Sequence, residues 1–122
     1  MSPKHILVVD DEPGIRLLVR KLLEPAGHRV SEAGDGRTAL SLVKSDPPDA
    51  VLLDLQMPGM NGHQVLAALK ADKTFHSPVI VLTAQDDFEN LDTAMTTGAD
   101  AYLTKLLTRE ELLRKLDELL AK

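Results

Sequence analysis

Short apolar runs alternate with amphipathic segments five times along this chain. Ile6-Leu7-Val8-Val9, Val51-Leu52-Leu53 and Val79-Ile80-Val81-Leu82 are continuous Val/Ile/Leu stretches, the pattern of strands buried on both faces. A more polar stretch at residues 28–33 suits an edge strand, and Ala101-Tyr102-Leu103-Thr104 completes the set. The segments between them carry apolar residues at helical spacing. This alternation predicts an α/β fold: a doubly wound parallel sheet with helices on both faces.

The helix boundaries follow from local signals. The first helix follows Asp11-Glu12-Pro13, with Pro13 at an early helical position and the acids complementing the dipole. It presents Ile15, Leu18, Val19, Leu22 and Leu23 and should end near Pro25-Ala26-Gly27. A second is expected over residues 36–45, burying Ala39, Leu40 and Val43, and a third over 62–71, burying Val65, Leu66 and Leu69. The fourth, roughly 87–97, sets Phe88, Leu91, Ala94 and Met95 on one side and is terminated by Gly98. The last opens on a capping box, Thr108-Arg109-Glu110-Glu111, and buries Leu112, Leu113, Leu116, Leu119 and Leu120.

With 122 residues the chain has the size of one domain, and no linker or repeat divides it. It stops at Lys122 with no output domain, as either a free-standing module or a piece of a longer chain. Only 2% of its residues are aromatic, so Leu, Val, Ile and Ala must build the core. A net charge of -5 argues against direct nucleic-acid binding, which needs a basic face. The absence of cysteine excludes disulfides and thiolate metal sites. The first apolar run is too short for a signal-peptide core or a membrane span, so a soluble, cytoplasmic protein is expected.

The chemistry gathers at strand ends. Asp10 and Asp11 follow the first strand, Asp54 and Thr83 close the third and fourth, and Lys105 follows the fifth. In an open parallel sheet the carboxyl ends of the strands form one rim, where ligands bind. Two adjacent carboxylates alone would more often be helix caps. If the first and third strands are neighbours, however, Asp54 faces Asp10 and Asp11, and such a cluster needs a cation or a proton. An all-oxygen site of this kind suits Mg²⁺ first and Mn²⁺ second. Asp54 is then the expected nucleophile toward phosphorus, with Lys105 and Thr83 meeting the phosphoryl oxygens.

Over essentially its whole length the chain resembles the receiver domain of two-component response regulators, including the single-domain chemotaxis type. The resemblance rests on Asp10-Asp11, on Asp54-Leu55-Gln56-Met57-Pro58-Gly59-Met60-Asn61-Gly62, on Thr83-Ala84, on Gly98-Ala99-Asp100-Ala101-Tyr102 and on Lys105. It implies a five-stranded sheet in the order 2-1-3-4-5 and a phosphoacceptor role for Asp54, supplied by a histidine kinase or a histidine phosphotransfer protein. It further implies Mg²⁺ ligation by Asp11, Asp54 and the Gln56 backbone carbonyl, with Asp10 acting through a metal-bound water. Thr83 would move toward the phosphoryl group and Tyr102 would rotate inward, reshaping the face of helix four, strand five and helix five for a downstream protein target. The protein would then be a switch rather than an enzyme, and a monomer or a weak phosphorylation-dependent dimer.

The chain departs from the family at Leu106, where proline after a cis bond is usual. A cis bond without proline costs about 2.5–4 kcal/mol, so trans is expected. Asn61 stands where aspartate is common and should still cap the third helix. Gln56 and Gln85 occupy positions that tune dephosphorylation in the family. Met57 and Met60 are expected as apolar plugs, and the four histidines, His5, His28, His63 and His76, as surface residues outside the site. A phosphohydrolase of the haloacid dehalogenase type needs an acid two residues after its nucleophile, and Gln56 cannot transfer a proton. A flavin-binding module would have its phosphate repelled by Asp10-Asp11-Glu12. A phosphorylation-independent interaction module is the third rival, against which the intact set of Asp10, Asp11, Asp54, Thr83 and Lys105 argues.

Overall fold

The computed structural model describes residues 2–57, 59–84 and 88–121, with Phe88 and Glu89 described by their backbone alone. The described residues form five strands, β1 (His5–Val9), β2 (Arg29–Ala33), β3 (Ala50–Asp54), β4 (Val79–Thr83) and β5 (Ala101–Thr104). All pair in parallel in the order β2-β1-β3-β4-β5. The helices are α1 (Pro13–Leu23), α2 (Gly36–Ser45), α3 (Gly62–Ala71), α4 (Phe88–Thr97) and α5 (Arg109–Leu120).

Alternation along each strand splits the core into two layers. Leu7, Val9, Val51, Leu53, Val79 and Val81 face Ala39, Val43, Val65, Leu66, Leu69 and Ala94 of α2, α3 and α4. Ile6, Val8, Leu52, Ile80 and Leu82 face Val19 and Leu23 of α1 and Leu112 and Leu116 of α5. Because β1, β3 and β4 are covered on both sides, every one of their residues is buried. The edge strand β2 buries only Val30, in the layer of α1 and α5, and Ala33, in the opposite layer, which accounts for its polar sequence.

Local chemistry starts and stops the helices as expected. Pro13 opens α1, a 3-10 turn over Glu24–Ala26 ends it, and Gly27 turns the chain at φ 96°. Asn61 caps α3 in a reciprocal box with Gln64, and Thr108 does the same for α5 with Glu111. Met57 is buried in the core and Met60 packs against it, as plugs. No cis peptide bond occurs among the described residues, so Lys105–Leu106 is trans as expected, with Leu106 turned to solvent.

Four expectations need correction. His5 and His28 are buried, not superficial. They lie at the end of the sheet opposite the acidic rim, and each finds polar partners, which is the condition for burying an imidazole. His5 Nε2 lies 2.7 Å from Ser31 Oγ, and the Lys4 amide donates to His28 Nδ1 at 3.0 Å. His63 is half-buried, with Nε2 3.0 Å from Asn90 Oδ1 on α4, which leaves His76 alone as an exposed histidine. Met95, expected on the inner side of α4, is exposed, while Ala94 beside it is buried. The start of α4 near Asp87 lies outside the described residues.

Candidate functional site

Strand register brings the acids level. Val9 pairs with Leu53 across β1 and β3, so the next residue on each strand, Asp10 and Asp54, reaches the same rim. Thr83 pairs with Thr104 across β4 and β5, and the Lys105 amide then donates to the Thr83 carbonyl at 2.9 Å. Asp10, Asp54 and Thr83 are buried, at 0%, 2% and 5% exposure, whereas Asp11 is exposed.

The backbone of each acid is pinned. The Asp10 amide donates to Ala33 O at 3.0 Å, and Arg16 Nη1 donates to Asp10 O at 2.7 Å while its Nε holds Glu32 at 2.9 Å. Asp10 Oδ1 accepts from the Glu12 amide at 2.9 Å, and Asp54 Oδ1 accepts from the Gln56 amide at 3.0 Å. Gly62 closes the loop after β3, where its amide donates to Leu55 O at 3.1 Å. A Cβ at position 62 would strike the Asp54 carbonyl oxygen and Leu55 Cα, so this approach requires glycine.

The second oxygens of the two buried acids, Asp10 Oδ2 and Asp54 Oδ2, receive no hydrogen bond. Both face the Lys105 ammonium, each at 3.3 Å, as ion pairs off the line of a hydrogen bond. Lys105 Nζ makes its hydrogen bond with Glu12 Oε1, at 3.1 Å. Ligand atoms of Asp10, Asp11 and Glu12 all lie within 4.8 Å of one another. At that separation two carboxylates repel by about 3 kcal/mol at an effective dielectric of 20, and one ammonium among four acids leaves the rim short of positive charge.

The electrostatics follow from burial. Burial pushes the Asp54 carboxyl up to about 6, and the charge of Asp10 adds to the rise, while the Gln56 amide and Lys105 oppose it. Asp10 is also raised, by burial above all, against the Glu12 amide and Lys105. For Lys105, burial works downward, but Glu12, Asp54 and Asp10 outweigh it and hold the ammonium above its ordinary range. An all-oxygen donor set with two buried carboxylate oxygens lacking hydrogen bonds fits a hard divalent cation such as Mg²⁺.

The structure thus gathers Asp10, Asp54 and Lys105, ties the Thr83 backbone to that of Lys105, and sets Asp11 beside Asp10. Tyr102 is 50% exposed on β5, and Gln56 is exposed at the rim. Gln85 lies outside the described residues. Two residues were not legible as site residues. Glu12 is read from sequence as a dipole partner of α1, yet it makes no side-chain cap and reaches Lys105 instead. A third acid beside the Asp10-Asp11 pair was the available signal. Arg16 carries none, since its bond to the Asp10 carbonyl depends on how α1 packs.

The response regulator receiver domain family matches residues 6–117. The response regulator MprA of Mycolicibacterium vanbaalenii is 42% identical over 118 residues, covering 97% of this chain and 51% of that protein. A response regulator from Chloroflexus aurantiacus J-10-fl superimposes with a TM-score of 0.94 at 29% identity, over 99% of this chain and 100% of that one. The receiver domain of a sensor histidine kinase from Pseudomonas aeruginosa PAO1, solved with a magnesium ion coordinated in its active-site cleft, gives 0.90 at 27% identity, over 99% and 100% of the two chains. The chain spans about half the length of the curated relatives it matches.

Proposed function

The chain belongs to the response regulator receiver domain family, and from that premise we propose that it is a phosphorylation switch with Asp54 as phosphoacceptor. One observation carries this reading: the buried Asp54 carboxylate keeps an oxygen without a hydrogen bond, 3.3 Å from the Lys105 ammonium. That oxygen is the nucleophile. Its bond to phosphorus forms as the P–N bond of a phosphohistidine breaks, and the imidazole leaves with the bonding pair. The donor is a histidine kinase or a histidine phosphotransfer protein.

Asp10, Asp11 and Asp54, with the Gln56 carbonyl, would hold Mg²⁺ (or Mn²⁺), Asp10 through water. The cation would supply charge neutralisation between carboxylates and phosphoryl oxygens. The Pseudomonas domain with magnesium in its cleft supports that assignment. Lys105, whose ammonium lies within the same rim, pairs with one phosphoryl oxygen, and the Thr83 hydroxyl donates to another.

Transfer replaces the single negative charge of the Asp54 carboxylate with a phosphoryl group carrying about one and a half to two, and that relocated, larger charge shifts the balance between two packings. As Thr83 turns toward the phosphoryl group, Tyr102 moves inward from its exposed position on β5. Tyr102 and Met95 border a groove of about 560 Å³ between α4, β5 and α5, the surface a downstream protein would read. The chain assists its own phosphorylation and turns over no separate substrate. It works in the cytoplasm as a monomer or a weak phosphorylation-dependent dimer, and it makes no direct contact with nucleic acid. No described helix is long and apolar enough to cross a membrane.

The test is intact mass after incubation with acetyl phosphate and Mg²⁺, beside Asp54→Asn and a chelated control. A single phosphoryl adduct that vanishes in both controls is expected. No adduct from a folded protein would favour an interaction module that works without phosphorylation.

A further inference from the structure

Lys105 has two kinds of partner. Asp10 Oδ2 and Asp54 Oδ2 are buried and ion-paired with it at 3.3 Å without a hydrogen bond. Glu12 Oε1 accepts a hydrogen bond from it at 3.1 Å, and the Glu12 side chain is 60% exposed. Glu12 is also the N-cap residue of α1, a place where a side chain ordinarily satisfies a helix amide. It forgoes that local bond for one with a residue 93 positions away.

We infer that Glu12 is the retreat position of the Lys105 ammonium: it holds Lys105 when a divalent cation takes over the Asp10 and Asp54 carboxylates. This rests on the cation reading given above. The ammonium and a divalent cation both neutralise the same two buried oxygens, and they repel each other, so the cation's entry displaces Lys105. Without Glu12 the displaced ammonium, whose side chain is only 20% exposed, would stand unpaired and poorly hydrated. With Glu12 it shifts toward a partner it already hydrogen-bonds. The Glu12 amide meanwhile keeps its bond to Asp10 Oδ1, so the retreat leaves the acid in place. Glu12 is therefore a positioning residue that acts through Lys105.

The experiment is Mn²⁺ binding to the full chain, followed by the loss of the free-ion electron paramagnetic resonance signal and requiring no phosphoryl donor. The proteins are wild type, Glu12→Gln, Lys105→Met, the double variant and Glu12→Asp. In the presence of Lys105, Glu12→Gln should weaken binding about two- to fivefold, the range for an exposed ion pair. In the Lys105→Met background the same change should weaken binding clearly less, because no ammonium needs a partner and only the Glu12 charge's own field at the cation is lost. Glu12→Asp, one methylene short of Lys105, should behave like Glu12→Gln.

Equal weakening in both backgrounds would make Glu12 a simple contributor to the cation's field and overturn the inference. So would wild-type affinity in Glu12→Gln or in Glu12→Asp. If Lys105→Met does not fold, the contrast between Glu12→Asp and wild type still decides. Absence of saturable binding to the wild-type chain would instead overturn the cation reading itself.

Discussion

Lys105 Nζ stands 3.3 Å from an Asp54 oxygen that no hydrogen bond reaches, so the ammonium compensates that oxygen while the Gln56 amide holds the other. Lys105→Met removes it from both Asp54 and Asp10. Breaking a buried pair strands the partner charge, and the partial exposure of Lys105 brings the expected loss to about 2–3 kcal/mol at pH 7.5. Near pH 4 the folded-state Asp54 carboxyl, raised to about 6, is protonated, and the loss should shrink as its share disappears. Urea denaturation at the two pH values, without divalent cations, checks this. An equal loss at both would mean that Lys105 stabilises by packing alone.

Asp54 should impose its own pH dependence. Its folded-state carboxyl is raised to about 6, by burial first. The stability it contributes is therefore full below the unfolded value near 4 and is lost as pH rises through about 6. An amide does not titrate, so in chelator Asp54→Asn should be more stable than the parent at pH 7.5, by on the order of 2 kcal/mol. The two curves should converge toward pH 4. Denaturation midpoints measured stepwise from pH 4 to 8 would expose parallel curves, which would contradict the burial argument. In the same window, phosphoryl uptake by the parent at limiting cation should rise as the carboxylate forms.

Two glycines at helix starts should respond with opposite sign. At Gly62 a Cβ strikes the backbone of Asp54 and Leu55, which cannot yield without moving β3. Gly62→Ala should cost about 1–3 kcal/mol and slow phosphoryl uptake by displacing the acceptor. At Gly14 nothing lies within 4 Å of the added carbon, and Gly14→Ala should gain up to about 1 kcal/mol from helix propensity. Thermal unfolding of both variants is the measurement, and a stabilised Gly62→Ala would refute the close approach.

His28 should govern part of the acid sensitivity at the far end of the sheet. Burial, then the chain's amino terminus and Lys4, lower its affinity for a proton, and its Nδ1 is already used as an acceptor from the Lys4 amide. A lowered folded-state value contributes stability that is complete above the unfolded value near 6.5 and is lost as pH falls through the folded one. His28→Asn keeps a short acceptor and removes the titration. It should flatten the decline in stability below pH 6.5, as read from urea midpoints between pH 7 and 5. An unchanged decline would assign it to other groups.

Much of this molecule is legible in one dimension. Continuous apolar runs identified β1, β3 and β4 because a strand covered on both faces must be apolar throughout, and the polar β2 was marked as an edge for the converse reason. Residues 36–45 and 62–71 are legible as helices from their apolar spacing, the second also from its Asn61 cap, and match α2 and α3. Asp10, Asp54, Thr83 and Lys105 could be placed on one rim because a parallel sheet puts all its strand ends on one side. Tertiary structure alone decided which of these groups touch. The bond between Glu12 and Lys105 joins the ends of β1 and β5, with β3 and β4 between them, and depends on the twist and register of the whole sheet. The burial of His5 and His28, the exposure of Met95 and the bond from Arg16 to the Asp10 carbonyl depend likewise on how neighbouring elements pack. Periodicity reports which face a residue occupies within its own element, whereas the partner on that face is set by contacts between segments far apart in the chain.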